Sequence, residues 1–210
     1  MDEIVVVGGG SHAKVVLSIL RKLNQHCILG YTDLKDNGGL LAASYLGSDG
    51  ELAALASSSR ELKAVLALGQ VGVGHSRYEL WRRLNSLSLC FPFIVSPDAV
   101  LNEGVSGGEG AVVMDGAVIN FGATVGRGAI VNTNSTVEHD VILGDWVHVA
   151  PGATICGGVT VGSFSMIGAG ATVIEGIQIA TCCVVGAGAT VVHDLTEQGV
   201  YVGNPARRIK

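Results

Sequence analysis

From Val95 to Val191 the chain repeats itself every six residues. Stepping by six from Val95 gives Leu101, Gly107, Val113, Ile119, Val125, Val131, Val137, Leu143, Val149, Ile155, Val161, Ile167, Val173, Ile179, Val185 and Val191; sixteen of these seventeen positions are aliphatic. A second series lies four residues behind the first. It runs from Ala99 through Ala111, Ser135, Val159 and Cys183 to Leu195, and is small or apolar almost throughout. A helix repeats its apolar face every 3.6 residues and a half-buried strand every two, so neither explains a period of six. Stacked six-residue units are the signature of a β-solenoid. In each unit a short strand carries the aliphatic anchor inward, a tight turn changes direction, and a small residue fits the narrow interior. Three units make a triangular coil of 18 residues, so the region holds about five and a half coils, with strands ~4.8 Å apart. A β-sandwich with glycine-rich turns is the alternative, and the lack of longer, two-periodic strands speaks against it.

Composition divides the chain at the same place. Of 31 glycines, 18 fall between Val95 and Val191, where tight corners need them, and Arg127 is the one basic residue of that stretch. Residues 1–94 instead hold nine basic and eight acidic side chains and alternate between strand and helix patterns. Ile4–Val7 reads as a buried strand, and Val15, Val16, Ile19, Leu20 and Leu23 have helical spacing. Ile28–Tyr31 is a second strand, Asp36–Gly39 a loop, Glu51–Ala56 a short helix, Ala64–Leu68 a strand ended by Gly69, and Arg77–Leu87 a helix. The expected organisation is an α/β domain over 1–94, a solenoid over 95–195 and a tail over 196–210 that leaves the period.

Several function classes are excluded at this level. A net charge of −5 argues against a general nucleic-acid binder. No apolar run reaches the ~18 residues of a membrane span. The opening MDEIVVVGGG lacks the basic start and cleavage region of a signal peptide, so the expected location is cytoplasmic. The five cysteines form no CxxC pair and are read as reduced. His12, His139 and His148 lack metal-ligand spacing, and no metal is expected.

Two places carry chemistry. Gly8, Gly9 and Gly10 follow a strand and precede a helix, an arrangement that brings backbone N–H groups and a helix N-terminus against a phosphate. The segment GGGSHA lacks the sixth-position glycine of the dinucleotide fingerprint, which disfavours NAD; a tight turn without a ligand stays open as a reading. The second place is His139-Asp140. His139 falls outside both inward series, at a turn, so its ring is expected at the surface. Gly157 lies 18 residues later, one coil along on the same corner.

The repeat resembles the hexapeptide repeat of left-handed parallel β-helix acyltransferases. The whole chain resembles the sugar acetyltransferases that place a small nucleotide-binding α/β domain before that helix, including bacillosamine and perosamine N-acetyltransferases and sialic acid O-acetyltransferase-like relatives. The segments carrying this are VVVGGGSHAKVV, YTD, LALGQVGVGHSRYEL, Val95-Ser96-Pro97-Asp98-Ala99, VEHDVILGDWVHVAPGA and the tail from Tyr201 to Arg207. The chain departs from the family at Thr32, where an Asp often precedes Asp33, and at Ser96, where a His commonly precedes the Pro.

The resemblance implies a left-handed helix and a homotrimer with active sites between subunits. It implies acetyl transfer from acetyl-CoA to the 4-amino group of a UDP-, GDP- or dTDP-linked sugar. O-acetylation of a sialic acid is a second reading, and a non-catalytic trimeric scaffold a third. The nucleotide-sugar would meet Gly8, Gly9, Gly10, Ser11, His12, Asp33, Gly69 and Arg77, with Asp33 bonding base or ribose and Arg77 the diphosphate. His139 matches the general base, Asp140 its acidic neighbour, and Gly157 the supplier of an oxyanion-binding N–H. His148 matches a histidine near the acetyl group, with a satisfied interface histidine as the alternative. Coenzyme A would lie along Gly157, Gly170, Ala187 and Gly188 and against Pro205 and Arg207 of the tail, with Arg208 and Lys210 competing for its 3′-phosphate.

Overall fold

The structure, a computed structural model, describes residues 1–38, 40–58, 62–87 and 89–210; Gly39, at the end of the expected loop, lies outside them. The N-terminal domain is a three-stranded parallel sheet with β1 (Asp2–Val7) between β2 (His26–Thr32) and β3 (Lys63–Leu66). Parallel neighbours need crossovers. The first contains α1 (Ser11–Leu23) and the second α2 (Leu52–Ser58), while α3 (His75–Asn85) follows β3. Ile4 to Val7 are fully buried, as befits a central strand covered on both faces. α1 ends at Asn24, whose left-handed backbone lets its N–H reach Leu20 O, and Arg21 and Lys22 occupy the last turn, where the helix dipole favours cations. β3 stops at Leu66 rather than the expected Leu68, and the residues that follow line a cavity.

From Ile94 the chain winds into the left-handed parallel β-helix. Its strands are mostly two residues long and pair in parallel with those eighteen residues away: Ile130–Val131 lies between Val112–Val113 and His148–Val149. Three faces result. Face 1 begins at Ile94–Val95 and ends with two strands of the tail, Gly199–Val202 and Arg207–Arg208. Face 2 runs from Val100–Leu101 to Thr190–Val191, and face 3 from Ser106–Gly107 to Gln178–Ile179. The aliphatic anchors from Val113 to Val191 and the small series from Ala111 to Leu195 form the buried interior. Gly107, the one anchor without a side chain, leaves room for the Phe93 ring, which packs on this core at its first coil.

Each corner turns through one residue in the left-handed region, three positions after the anchor. Glycine fills ten of the fifteen such positions from Gly104 to Gly188; the others are Asn134, Asp140, Trp146, Phe164 and Cys182. The N-terminal domain sits on face 1. Ile94, Val112 and Ile130 of that face are buried in one cluster with Val16, Leu17 and Leu20 of α1. Beside them Lys22 reaches Asp98 at 2.7 Å and also pairs with Asp115, which accepts from the Ser96 hydroxyl. Among the described residues no helix is long and apolar enough to cross a membrane.

Because Ile155 points inward and is fully buried, Ile155→Ala is expected to cost about 2–5 kcal/mol. Its neighbour Thr154 precedes the anchor and is half-buried, so Thr154→Ala is expected to change stability by only ~0.5 kcal/mol. Denaturant midpoints measure both; equal effects would contradict the inward register.

Candidate active site

His139 stands at the corner between faces 2 and 3, after Thr136–Val137 and before Ile142–Leu143. Asp140 takes the left-handed corner position, φ 59°, which an Asp tolerates better than most residues. His139 Nδ1 lies 2.9 Å from Asp140 Oδ2. A carboxylate only accepts, so Nδ1 carries the hydrogen and the neutral ring has its lone pair on Nε2. The His139 side chain is 55% exposed, open to a substrate. Its pKa is raised above the usual histidine value, first by the hydrogen bond to Asp140 and further by the charges of Asp140, Glu138 and Glu175.

The next coil is locked to this corner: Glu138 N–H donates to Ile155 O and Gly158 N–H to His139 O, each at 2.9 Å. Gly157 therefore lies directly against the imidazole. A Cβ at Gly157 would stand 2.5 Å from Nε2, so only glycine leaves that nitrogen free. The Gly157 N–H makes no backbone bond among the described residues. A proton acceptor and a free N–H donor are thus placed side by side on an exposed edge.

The second feature is a cavity of about 1140 Å³ in the N-terminal domain. Gly8, Gly9 and Gly10 line it, with Ser11, His12, Asp33 and Gly69. Gly10 caps α1 without any side-chain hydrogen bond; the Ala13 N–H turns back to Gly10 O at 3.1 Å, and the N–H groups of Ser11 and His12 stay available to an anion. Gly9 is otherwise committed: its N–H donates to Asp33 Oδ2 at 2.7 Å. Asp33, expected to meet base or ribose, also accepts from Asn37 Nδ2 at 2.9 Å and from Leu34 N–H at 2.6 Å. It therefore holds the glycine turn in place, and most of its acceptor capacity is used inside the chain. Asp49, which no sequence motif marks, lines the cavity and accepts from the Thr32 hydroxyl at 2.9 Å. Thr32 thus brings a second carboxylate, from a later turn, beside Asp33. Glu79, Arg82 and Arg83 of α3 complete the charged rim.

Arg77 is not part of that rim, and its expected role at the diphosphate is corrected. It is 1% exposed, donates from Nη1 to Gly128 O at 2.6 Å and lies 5.6 Å over the Trp146 ring. It faces the solenoid because the cavity side of α3 is taken by its other residues. Burial pulls its pKa to about 10. His148, expected near the acetyl group, is also buried between the domains. Its Nδ1–H donates to Gln70 O at 3.0 Å, and its Nε2 is 3.1 Å from Asn132 Nδ2, a donor. Both nitrogens are engaged and the ring is neutral; burial pulls its pKa to about 4. His12 is pulled to about 4 by burial and then by the nearby positive Arg77.

The residues expected along coenzyme A do not converge in one chain. Gly170, Ala187 and Gly188 lie at the corner between faces 1 and 2, where Gly170 and Gly188 open to free space. Gly157 lies on the His139 corner. Pro205 and Arg207 are exposed in the tail, where Arg207 Nη1 bonds Ala206 O and Arg208 pairs with Glu197. Among the described residues no three His, Cys, Asp or Glu side chains are grouped to hold a metal ion.

Residues 3–79 match the PglD N-terminal domain family, and residues 122–157 match the bacterial transferase hexapeptide (six repeats) family. PerB from Caulobacter crescentus, solved in complex with CoA and GDP-perosamine, is 33% identical with a TM-score of 0.91, over 100% of this chain and 98% of that one. The acetyltransferase domain of PglB from Neisseria gonorrhoeae, solved with acetyl coenzyme A, is 30% identical with a TM-score of 0.89, over 99% and 98% of the two chains. WeeI from Acinetobacter baumannii, 23% identical with a TM-score of 0.83 over the full length of both chains, shares the fold. No curated protein matches the sequence. The chain belongs to the hexapeptide-repeat acetyltransferase family that carries a PglD-type N-terminal domain.

His12 and His148 give a stability signature. An unfolded histidine binds a proton near pH 6.5, whereas these two resist it until about 4. Between those values the unfolded state holds more protons, so stability is full above pH 6.5 and is lost as the pH falls towards 4. Melting temperatures measured from pH 7 to 4.5 are expected to fall, and His148→Gln to make the fall shallower. A flat wild-type profile would contradict the neutral, buried assignment.

Proposed function

We propose that the protein transfers the acetyl group of acetyl-CoA to the 4-amino group of a UDP-, GDP- or dTDP-linked sugar, for surface glycan or glycoprotein synthesis. It works as a homotrimer with each active site shared between two subunits. The observation that carries this reading is His139 Nε2, oriented by Asp140 and lying against Gly157 with its free N–H. The relatives bound to CoA with GDP-perosamine and to acetyl coenzyme A support the two substrate classes.

The neutral amine of the sugar attacks the thioester carbonyl carbon. As the C–N bond forms, His139 Nε2 takes the amine proton, and Asp140 stabilises the imidazolium. The Gly157 N–H meets the oxyanion of the tetrahedral intermediate. The C–S bond then breaks, and His139 returns its proton to the leaving thiolate. His148, with both nitrogens engaged, moves no proton; it holds the wall between the domains. The uncapped N-terminus of α1 binds the diphosphate. His139 lies opposite face 1, which carries the N-terminal domain, so the sugar of one chain reaches the His139 corner of the next. The same arrangement lets Gly170, Ala187 and Gly188 of one subunit face Gly157 of its neighbour along coenzyme A.

A thiol-release assay with acetyl-CoA and a panel of nucleotide-linked 4-amino sugars tests the assignment. Turnover of one of them is expected; turnover of a sialic acid alone would favour O-acetylation, and none at all the scaffold. His139→Ala is expected to lower kcat by about 10²- to 10⁴-fold while the oligomer persists. Gly157→Ala, whose methyl displaces the imidazole, is expected to lower kcat by a similar order with little change in melting temperature. Near-wild-type kcat in either variant removes that residue from the mechanism. Asp140→Asn takes away the group that raises the His139 pKa. The acid limb of kcat/KM is therefore expected to move to lower pH, together with a lower plateau.

A further inference from the structure

The corner between faces 3 and 1 departs from the glycine rule in three successive coils. After Gly110 and Gly128 come Trp146, Phe164 and Cys182, with φ of 62°, 64° and 58°. Bulky L-residues avoid this region, and such strain persists where surroundings hold it in place. What holds it is α3. The Trp146 ring is buried; a Cβ on Gly128 would run into it, and it lies 5.8 Å from both Trp81 and Tyr78. Phe164 meets His75 edge-on at 4.9 Å and Tyr78 at 5.6 Å, and Cys182 Sγ is 3.7 Å from His75 Nε2.

The backbone joins in. Gly74 N–H donates to Phe164 O at 3.1 Å and Gly72 N–H to Met166 Sδ at 3.1 Å. A Cβ on Gly74 would stand 2.8 Å from Trp146 O, so the approach is close. The other side of α3 supplies Ser76, Glu79, Leu80 and Arg83 to the nucleotide-sized cavity. One short helix therefore has the cavity on one side and the strained corner on the other.

We propose that Trp146, seconded by Phe164, is a positioning residue that fixes α3 on the solenoid and thereby fixes where the cavity presents its bound sugar to the acetyl-transfer corner. The idea rests on the nucleotide-sugar reading above. Trp146 does not itself line the cavity and stands at a different corner from His139 and Gly157, so its loss is read in kcat more than in binding.

The test uses the full chain with Trp146→Gly, which the corner backbone accepts, and Trp146→Leu and Trp146→Phe as graded variants. For Trp146→Gly, kcat is expected to fall between about tenfold and 10²-fold through misplacement of the amine. KM for acetyl-CoA and the calorimetric Kd for UDP, GDP or dTDP are expected to stay within about threefold. Phenylalanine is expected to restore most of kcat, and leucine to fall between. Hydrogen exchange at Gly72 and Gly74 is expected to accelerate about tenfold in the glycine variant, while the solenoid core stays protected. Unchanged kcat across the three variants, or unchanged exchange at Gly72 and Gly74, overturns the proposal. If the glycine variant unfolds, leucine against phenylalanine carries the same comparison: equal kcat overturns the proposal, and a lower kcat with leucine supports it. Faster exchange in a variant of an enzyme that turns over no amino sugar overturns the acceptor assignment instead.

Discussion

The hydrogen bonds between one coil and the next govern everything else in this molecule. Each two-residue strand bonds to its neighbour eighteen residues away, and the corner N–H groups bond to the corner below, as Gly158 does to His139 O. Two corner residues eighteen apart are therefore held one strand spacing apart. No side-chain packing has to be tuned to bring Gly157 under the His139 ring; the ladder does it. Glycine at 157 then keeps the narrow gap open.

Three faces give three environments to one repeat. Face 1 is covered by the N-terminal domain through Ile94, Val112 and Ile130. The corner between faces 3 and 1 is clasped by α3, and the corner between faces 2 and 3 is left exposed with His139 and Asp140. The cavity and the His139 corner consequently lie on opposite sides of a single chain. In the proposed homotrimer, association about a common axis brings such surfaces together, each copy offering one half of a site to the next.

The inward face was legible in the residues because a six-residue register sustained over seventeen anchors leaves one interpretation. His139 and Gly157 were legible for the same reason: their spacing equals one coil. The covered face was harder to see. Its outward apolar residues Ile94, Val112 and Ile130 recur every eighteen positions, and a six-residue frame averages them with Thr136 and Thr160 of the other faces. The helical spacing of Arg77–Leu87 reveals a helix but not which side meets the cavity, and so it does not show that Arg77 belongs to the Trp146 contact rather than to the diphosphate. Asp49 escaped because its link to Thr32 is tertiary, joining a strand end to a short turn seventeen residues on.

The central claim is that the site is completed by a neighbouring copy, and mixing two inactive variants tests it most directly. Gly10→Trp projects a large side chain into the cavity from a position with φ −81° and no atom within 4 Å of its Cβ. His139→Ala removes the proposed base from the opposite side. Each variant alone should be inactive. After denaturation and refolding together in equal amounts, a cyclic trimer with shared sites should recover about a quarter of wild-type activity, since half the chains offer each intact surface. Recovery of none, with mixed oligomers demonstrated, would place the cavity and His139 in one and the same chain's site and contradict the account.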